Sequence, residues 1–218
     1  MDLRTALLFY LCLIIGFAIH EWAHAFVADK LGDYTARALG RVTLNPIAHM
    51  DPIGSVAFPL ICLFLLGGQF LFAWGKPVPV NLGNFEPSRR RRCDILITLA
   101  GPASNLCLAL LGAILGGIAS RFDPRLMELA GTFISVNIML AVFNLIPIPP
   151  LDGSRVFRYI IGMSEHTFVQ FARWGFLILI LLINIPATRS ILITTFEIFL
   201  TPFYVLMLLI SGQPPPTQ

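Results

Sequence analysis

Charged residues are scarce in this chain of 218 residues, since Asp, Glu, Lys and Arg together make up 12% of it and hydrophobic residues make up 56%. A soluble domain carries about 25% charged residues, so the composition excludes an ordinary soluble protein. The apolar stretches run unbroken and do not alternate with polar residues, which indicates membrane-spanning helices. We therefore expect an all-α polytopic membrane protein.

Cysteine pairs at metal-binding or redox spacing are also lacking. The four cysteines show no C-x-x-C spacing and at least three fall in apolar segments, so we expect buried small side chains rather than disulfides or metal ligands. No internal repeat or linker is visible, and no segment is polar enough for a separate soluble domain. We predict one membrane domain over residues 1–212 and a disordered tail over residues 213–218, which hold three prolines.

Five apolar segments are long enough to span a membrane. The first persists to Ala28, which is too long for the apolar core of a typical signal peptide, so we expect a retained helix. A sixth segment, 52–74, contains Pro59 and is interrupted by Gly67-Gly68, and it either crosses the membrane, turns back or lies on the surface. We expect about five to six transmembrane helices, of which the five clear candidates are 4–28, 94–118, 130–147, 171–186 and 190–210.

The most informative motif is His20-Glu21-Trp22-Ala23-His24, an H-E-x-x-H string inside the first apolar segment. Histidines four residues apart lie on one side of a helix, one turn apart, so both can bind one metal ion. Glu21 lies beside the first histidine, where its carboxylate can accept a proton from a metal-bound water. A buried hydrogen-bonded His–Glu pair is the alternative, but ionisable groups inside a membrane segment generally serve a function.

The region after the first helix is semi-polar. Residues 35–37 and 41–44 have the composition of short strands, which would form a short β-hairpin near the motif. Residues 76–81 are expected to be extended, because prolines two positions apart exclude a helix. Asp33 and Asp51 are expected to be turn residues.

A zinc hydrolase needs three protein ligands and one open position for water, so the motif requires a third ligand from elsewhere. Asp152 is the strongest candidate, because it follows an apolar helix ended by three prolines and precedes a glycine. His49 is either a residue close to the metal or a histidine of a surface loop. His166 is expected to be solvated.

Taken together, these motifs resemble the site-2 protease family of intramembrane zinc metalloproteases, whose members pair H-E-x-x-H with a distant L-D-G. The L-D-G here is Leu151-Asp152-Gly153, and the segment 101–105, with the pattern G-P-x-x-N, and Asn144 are supporting matches. Residues 45–54 and 76–81 resemble a compact bacterial or archaeal branch. The chain shows neither the PDZ domain nor the pair of CBS domains that better-known members carry.

The resemblance implies the chemistry of the site. It implies one Zn²⁺ ion held by His20, His24 and Asp152, with Glu21 as general base on a zinc-activated water. Asn144 is implied to contact the substrate and is a candidate to hold the developing oxyanion, with an amide that packs between helices as the alternative. Three residues of the G-P-x-x-N segment are expected to allow close helix packing with a polar contact rather than to take part in chemistry: Gly101, Pro102 and Asn105.

The substrate implied by the resemblance is a transmembrane protein. Its carbonyl groups are held in helix hydrogen bonds, so the helix must unwind before cleavage. An edge strand from residues 35–44, or the extended residues 76–81, would then pair with the freed backbone. We therefore expect the lipid bilayer and a transmembrane protein as partners and no nucleic acid, while the oligomeric state stays open.

The shared metal site constrains the topology. Asp152 must emerge on the membrane face where the first helix ends, so the segment 52–74 must turn back rather than cross. One face then collects eleven Lys and Arg residues and the other face four, compared with nine and six if the segment crosses. The positive-inside rule favours the first arrangement, with residues 89–92, four consecutive arginines, as a topology anchor. It predicts a multi-pass protein of the cell (inner or plasma) membrane, with the N-terminus outside and the site toward the cytoplasm.

Three other functions compete with an intramembrane endopeptidase. A metal-ion transporter also places histidines and acids inside a membrane, although it would need metal-binding groups along an exit path. A silent binding protein would retain the motif without the activity. A different zinc membrane peptidase, such as one that processes prenylated tails, is the runner-up among enzymes. The convergence of ligands on one site with Glu21 adjacent favours the endopeptidase.

Overall fold

Eight α-helices run through the residues that the structure, a computed structural model, describes, which are 2–65 and 74–212. Five of them are long and apolar enough to cross a membrane, which confirms the prediction of an all-α polytopic fold. The predicted tail 213–218 lies outside the described residues. The helices are α1 (Leu3–Leu31), α2 (Thr35–Ala38), α3 (Phe58–Leu65), α4 (Arg90–Ala119), α5 (Leu126–Asn144), α6 (Asp152–Ile160), α7 (Glu165–Asn184) and α8 (Pro186–Ser211).

Capping residues define the two ends of α1, the helix that carries the H-E-x-x-H motif. The side chain of Asp2 accepts a hydrogen bond from the backbone N–H of Thr5, which would otherwise have no partner in the first turn. Gly32 ends the helix with a φ of 111°, a left-handed conformation that glycine adopts without strain. The helix is 29 residues long, which corresponds to about 43 Å, so it spans a bilayer and extends beyond it.

α4 is the central helix, and it packs against α1, α5, α6 and α8. Small residues allow this close packing: a Cβ atom built on Gly116 of α4 would lie 2.2 Å from the Cβ of Ala130 in α5. α7 and α8 bury far fewer residues and present apolar side chains outward, as expected for helices that face lipid. One buried core cluster joins α4, α5 and α8 through Ala109, Ala113, Ala130, Ile134, Ile138 and Met207.

The apolar segment 52–74 begins and ends at the same place. It starts as a π-helical turn, Pro52–Ala57, that leads into α3. The chain is next described at Trp74, whose backbone N–H donates to Gly54 O at 3.2 Å, while Ser55 Oγ donates to Trp74 O at 2.7 Å. Because its two ends are hydrogen-bonded to each other, this segment does not carry the chain across the membrane. The predicted reversal at Gly67-Gly68 lies outside the described residues.

The predicted β-hairpin is wrong for the described residues. Residues 35–37 lie in α2, because the carboxylate of Asp33 accepts hydrogen bonds from the backbone N–H and the hydroxyl of Thr35 and starts a helical turn there. Residues 41–44 form no strand either. An antiparallel bridge pairs Met50 with Gly75. Residues 76–81, the segment predicted to be extended, form neither helix nor strand, and Asn81 has an extended backbone.

The return of the chain at Trp74 leads to a test of the topology. We expect Asn45→Cys and Glu86→Cys, each in a Cys107→Ser background, to react with a membrane-impermeant maleimide from the same side of the membrane. Phe122→Cys, in the turn between α4 and α5, should react from the opposite side, because α4 lies between it and Glu86. Labelling of residues 45 and 86 from opposite sides would show that the segment between them crosses.

Candidate metal centre

The three predicted ligands meet at one point. His20 Nε2 and His24 Nε2 lie 3.0 Å apart, and Asp152 Oδ2 lies 3.1 Å from the first and 3.3 Å from the second. Both histidines are buried, with exposed fractions of 3% and 8%, and Asp152 is half-buried at the first position of α6. Among the described residues, they form the one group of His, Cys, Asp and Glu side chains with metal-binding spacing.

Hydrogen bonds orient both imidazole rings. His20 Nδ1 lies 2.6 Å from Asn105 Oδ1, and His24 Nδ1 lies 2.7 Å from the backbone oxygen of Ile97. Carbonyl oxygens only accept, so each Nδ1 carries a hydrogen, and each Nε2 faces the centre, where the neutral ring offers a lone pair.

The three donor atoms fit a zinc ion. Two imidazole lone pairs and a carboxylate oxygen that face one another within 3.3 Å repel unless a cation lies between them. Zinc–nitrogen bonds of about 2.0–2.1 Å in a tetrahedron place neighbouring ligand atoms about 3.3 Å apart. The observed separations of 3.0–3.3 Å are close to that value. A nitrogen, nitrogen and oxygen donor set is one that zinc accepts.

A network of two asparagines fixes the orientation of the Asn105 amide. Asn105 Nδ2 donates to Gly16 O at 3.1 Å and to Asn137 Oδ1 at 3.0 Å, so its oxygen must point to His20. Asn105 and Asn137 are both fully buried. The polar contact predicted for Asn105 is therefore a contact with a candidate ligand. Asn137 was not predicted, although an amide in the middle of an apolar helix is a signal of such a role.

Gly101 provides the space in which the two imidazoles lie. A Cβ atom at this position would be 2.4 Å from His24 Nε2 and 2.5 Å from His20 Nε2. Pro102 follows it inside α4 and cannot donate a backbone hydrogen bond to the preceding turn. The packing role expected for this segment therefore applies to the metal centre itself, where α4 meets α1.

The carboxylate of Glu21 is held by the extended segment. Glu21 is 8% exposed, and its Oε2 accepts a hydrogen bond of 3.0 Å from the backbone N–H of Val78. Lys76 N donates to His49 O, and Lys76 O accepts from the guanidinium of Arg41 at 2.5 Å. This segment is therefore a rigid support for the candidate base.

Asp33 anchors the other end of the extended segment. Its buried carboxylate accepts hydrogen bonds from Thr35, from the backbone N–H of Asn81 at 2.7 Å and from Asn84 Nδ2 at 2.7 Å. Burial opposes ionisation, but these hydrogen bonds outweigh it and keep the pKa of Asp33 below its ordinary value. Asp33 is thus a turn residue, as predicted, and also joins the turn to a segment 48 residues later.

Three further predicted residues lie apart from the ligand atoms. His49 is fully buried, with its Nε2 2.8 Å from Thr43 O, and therefore supports the loop rather than lying at the surface. His166 is exposed, as expected. Asn144 is half-buried at the end of α5, and its Nδ2 donates to Leu140 O at 3.0 Å within its own helix.

Comparison with known proteins identifies relatives of this chain. The profile of peptidase family M50 matches residues 119–183. The chain is 36% identical over 189 residues to YwhC of Bacillus subtilis, covering 83% of this chain and 81% of YwhC. It is 32% identical over 178 residues to Rip2 of Mycolicibacterium smegmatis, covering 80% of this chain and 65% of Rip2. Both relatives are named as candidate zinc metalloproteases. No solved structure matches the chain.

A single methyl group at residue 101 tests the metal centre. We expect Gly101→Ala to abolish zinc binding, because the new Cβ would lie within 2.5 Å of both Nε2 atoms. Gly112→Ala, in the same helix, is the matched control, since its nearest neighbour is a Phe133 side-chain atom at 3.0 Å. Zinc content of the purified proteins by mass spectrometry is the measurement. Stoichiometric zinc in the Gly101→Ala variant would contradict the assignment.

Proposed function

The chain belongs to peptidase family M50, the family of the site-2 proteases, and from that membership we propose that it is an intramembrane zinc endopeptidase. It would hydrolyse a peptide bond within or near a transmembrane segment of a membrane-protein substrate. Its relatives support a zinc metalloprotease with a Zn²⁺ cofactor. The observation that carries the finer proposal is that His20 and His24, on the membrane-spanning helix α1 and beside Glu21, converge with Asp152 at the start of α6.

His20, His24 and Asp152 would hold the ion. When bound there, zinc supplies a Lewis acid that polarises the scissile carbonyl and lowers the pKa of water to about 7. Asn105 and Ile97 keep both histidines in the tautomer whose Nε2 is free to bind. The role of the protein is to hold these groups in position before the substrate arrives.

Glu21 is proposed as the general base. The N–H of Val78 holds Oε2 at 3.0 Å and leaves Oε1 to accept the proton of the attacking water. Glu21 then donates this proton to the leaving amine, so that one carboxylate serves both halves of the reaction. The fixed orientation of the carboxylate supports this role, because proton transfer requires the base within hydrogen-bonding distance.

The depth of the site suggests how a transmembrane substrate is cleaved. His24 lies seven residues before the end of α1, about 10 Å along the axis, so the substrate would be cut close to one membrane face. Its helix must unwind there, and the freed N–H groups need acceptors. Pro77 and Pro79 have no N–H and Val78 N–H is bonded to Glu21, so residues 76–81 would receive the substrate mainly through their carbonyl oxygens.

The distribution of Lys and Arg residues supports a proposal for the membrane and the orientation of the protein. We propose a multi-pass protein of the cell membrane whose single catalytic domain covers residues 1–212. The eleven Lys and Arg residues on the face of the site, including the arginines at 89–92, support a cytoplasmic position for this face.

The first test replaces the proposed base. Glu21→Gln should lower cleavage of a panel of transmembrane peptides by about 10²- to 10⁴-fold, the usual contribution of general acid–base catalysis. It should leave zinc content unchanged, because Glu21 is not a ligand. Glu128→Gln, an exposed carboxylate in the first turn of α5, is the control and should retain wild-type cleavage.

Two results would contradict the protease. One is equal cleavage by the wild type and Glu21→Gln, and the other is an absence of cleavage by a zinc-loaded wild type over the whole panel. Zinc uptake into proteoliposomes that survives Glu21→Gln would instead support the transporter.

A second test concerns Asn144, whose substrate contact remains a prediction. If its amide leaves Leu140 O to hold the oxyanion, Asn144→Leu should lower kcat by about 10²-fold or more with little change in zinc content. Asn184→Leu is matched, because Asn184 makes the same hydrogen bond to Ile180 O near the end of α7. Equal kcat values for both variants would assign Asn144 a packing role.

A further inference from the structure

Asp94, in the second turn of α4, is a buried carboxylate outside the metal centre. Its side chain is 2% exposed, yet both of its oxygens have partners from one other helix. Tyr159 Oη donates to Oδ2 at 2.7 Å, and Arg155 Nη1 donates to Oδ1 at 3.3 Å. A buried charge needs such partners to offset the loss of water. The two partners lie on α6, the short helix whose first residue is Asp152.

α6 has few apolar contacts to hold its position, and its other polar contacts with neighbouring helices, Arg158 with Glu165 and Tyr159 O with Arg91, come from exposed partners. Only Gly153 and Ser154 of its nine residues are buried, and Phe157 and Ile160 are 37% and 72% exposed. A nine-residue helix with so small a buried apolar face is not stable by itself. Its polar contacts therefore decide where its first residue lies.

Two pairs of facing residues on α4 and α6 are separated by the same number of residues on each helix. Tyr159 lies opposite Asp94, and Asp152 lies by the imidazoles that contact Gly101. Seven residues separate the two positions on each helix, which is about 10 Å in both cases. The helices run antiparallel in this register, so a contact at Asp94 determines the depth and the rotation of Asp152.

The same helix orients the two histidines. Ile97 O binds His24 Nδ1, and Asn105 Oδ1 binds His20 Nδ1, so both contacts come from α4. Three residues along α4 therefore each help to position one ligand: Asp94 acts on Asp152, Ile97 on His24 and Asn105 on His20. α4 therefore serves as the common reference for a metal centre whose ligands come from α1 and α6.

We propose that Asp94 is the positioning residue for the carboxylate ligand Asp152, acting through Tyr159 and Arg155. The proposal rests on the metal centre described under the proposed function. Asp94 does not touch the ion or the substrate, and its effect is to hold α6 at the depth where Asp152 Oδ2 meets the two imidazoles. Tyr159 stays protonated as the donor, because burial and the charge of Asp94 raise its pKa to about 12.

The test measures zinc affinity by chelator competition on the purified, full-length protein in detergent. We expect Asp94→Asn to raise the Kd for zinc by about tenfold or more, the range seen when a supporting contact of a ligand is lost. Tyr159→Phe should raise it by a smaller factor. The double variant should bind zinc about as weakly as Asp94→Asn alone, because both changes remove the same contact.

Asp29→Asn is the matched control. Asp29 is also a buried carboxylate, with a side chain 3% exposed, but its partner, Arg37, lies on α2 and not on α6. We expect its Kd for zinc to stay within about twofold of the wild type, even if the protein unfolds at a lower temperature.

The possible results distinguish a failure of the positioning role from a failure of the proposed protease function. Wild-type affinity in both Asp94→Asn and Tyr159→Phe would overturn the positioning role and leave the protease intact. Equal weakening by Asp29→Asn would overturn it too, since general destabilisation would then explain the loss. If the Kd of the double variant rises by the product of the two single increases, Asp94 and Tyr159 act separately, which would overturn the action of Asp94 through Tyr159. A wild-type protein that binds no zinc would overturn the metal centre and this role together.

Discussion

The structure depends on one electrostatic constraint: two imidazole lone pairs and a carboxylate oxygen lie within 3.3 Å of one another among membrane-spanning helices. Such a set is unfavourable without a cation, and charged or polar groups at this depth are costly without partners. Residues around the three ligands make this arrangement possible. Gly101 leaves room for the rings, and the contacts of Asn105 and Ile97 prevent each Nδ1 from turning inward.

α4 does most of this work without contributing a ligand. Along its length it contacts α6 through Asp94, the two histidines through Ile97 and Asn105, and the apolar core through Ala109 and Ala113. A helix that is packed on several sides is a rigid reference. Ligands from two other helices can therefore keep separations close to 3 Å, although they lie 132 residues apart in the chain.

The base has a separate support. Glu21 lies on α1, but its orientation is set by the loop that follows the apolar segment 52–74. Pro77 and Pro79 exclude a helix in that loop, and hydrogen bonds to His49 and Asp33 hold its two ends. Turn residues far from the metal therefore influence the position of the Glu21 carboxylate. The base and the metal ligands are thus positioned by different parts of the chain.

The sequence by itself determined the five spans, the candidate ligands and the candidate base, because these depend on local spacing and on composition. Periodicity places His20 and His24 on one side of a helix, and an acid after a proline-ended apolar helix stands out in so apolar a chain. The strand prediction at residues 35–37 failed because the side chain of Asp33, a local competitor for the backbone, starts a helix instead. Only the tertiary structure decided which groups contact Glu21 and His20. The N–H of Val78 binds Glu21, and Asn105, held by Asn137, binds His20. Contacts between residues 57 and 85 positions apart arise from packing, and no local pattern encodes them.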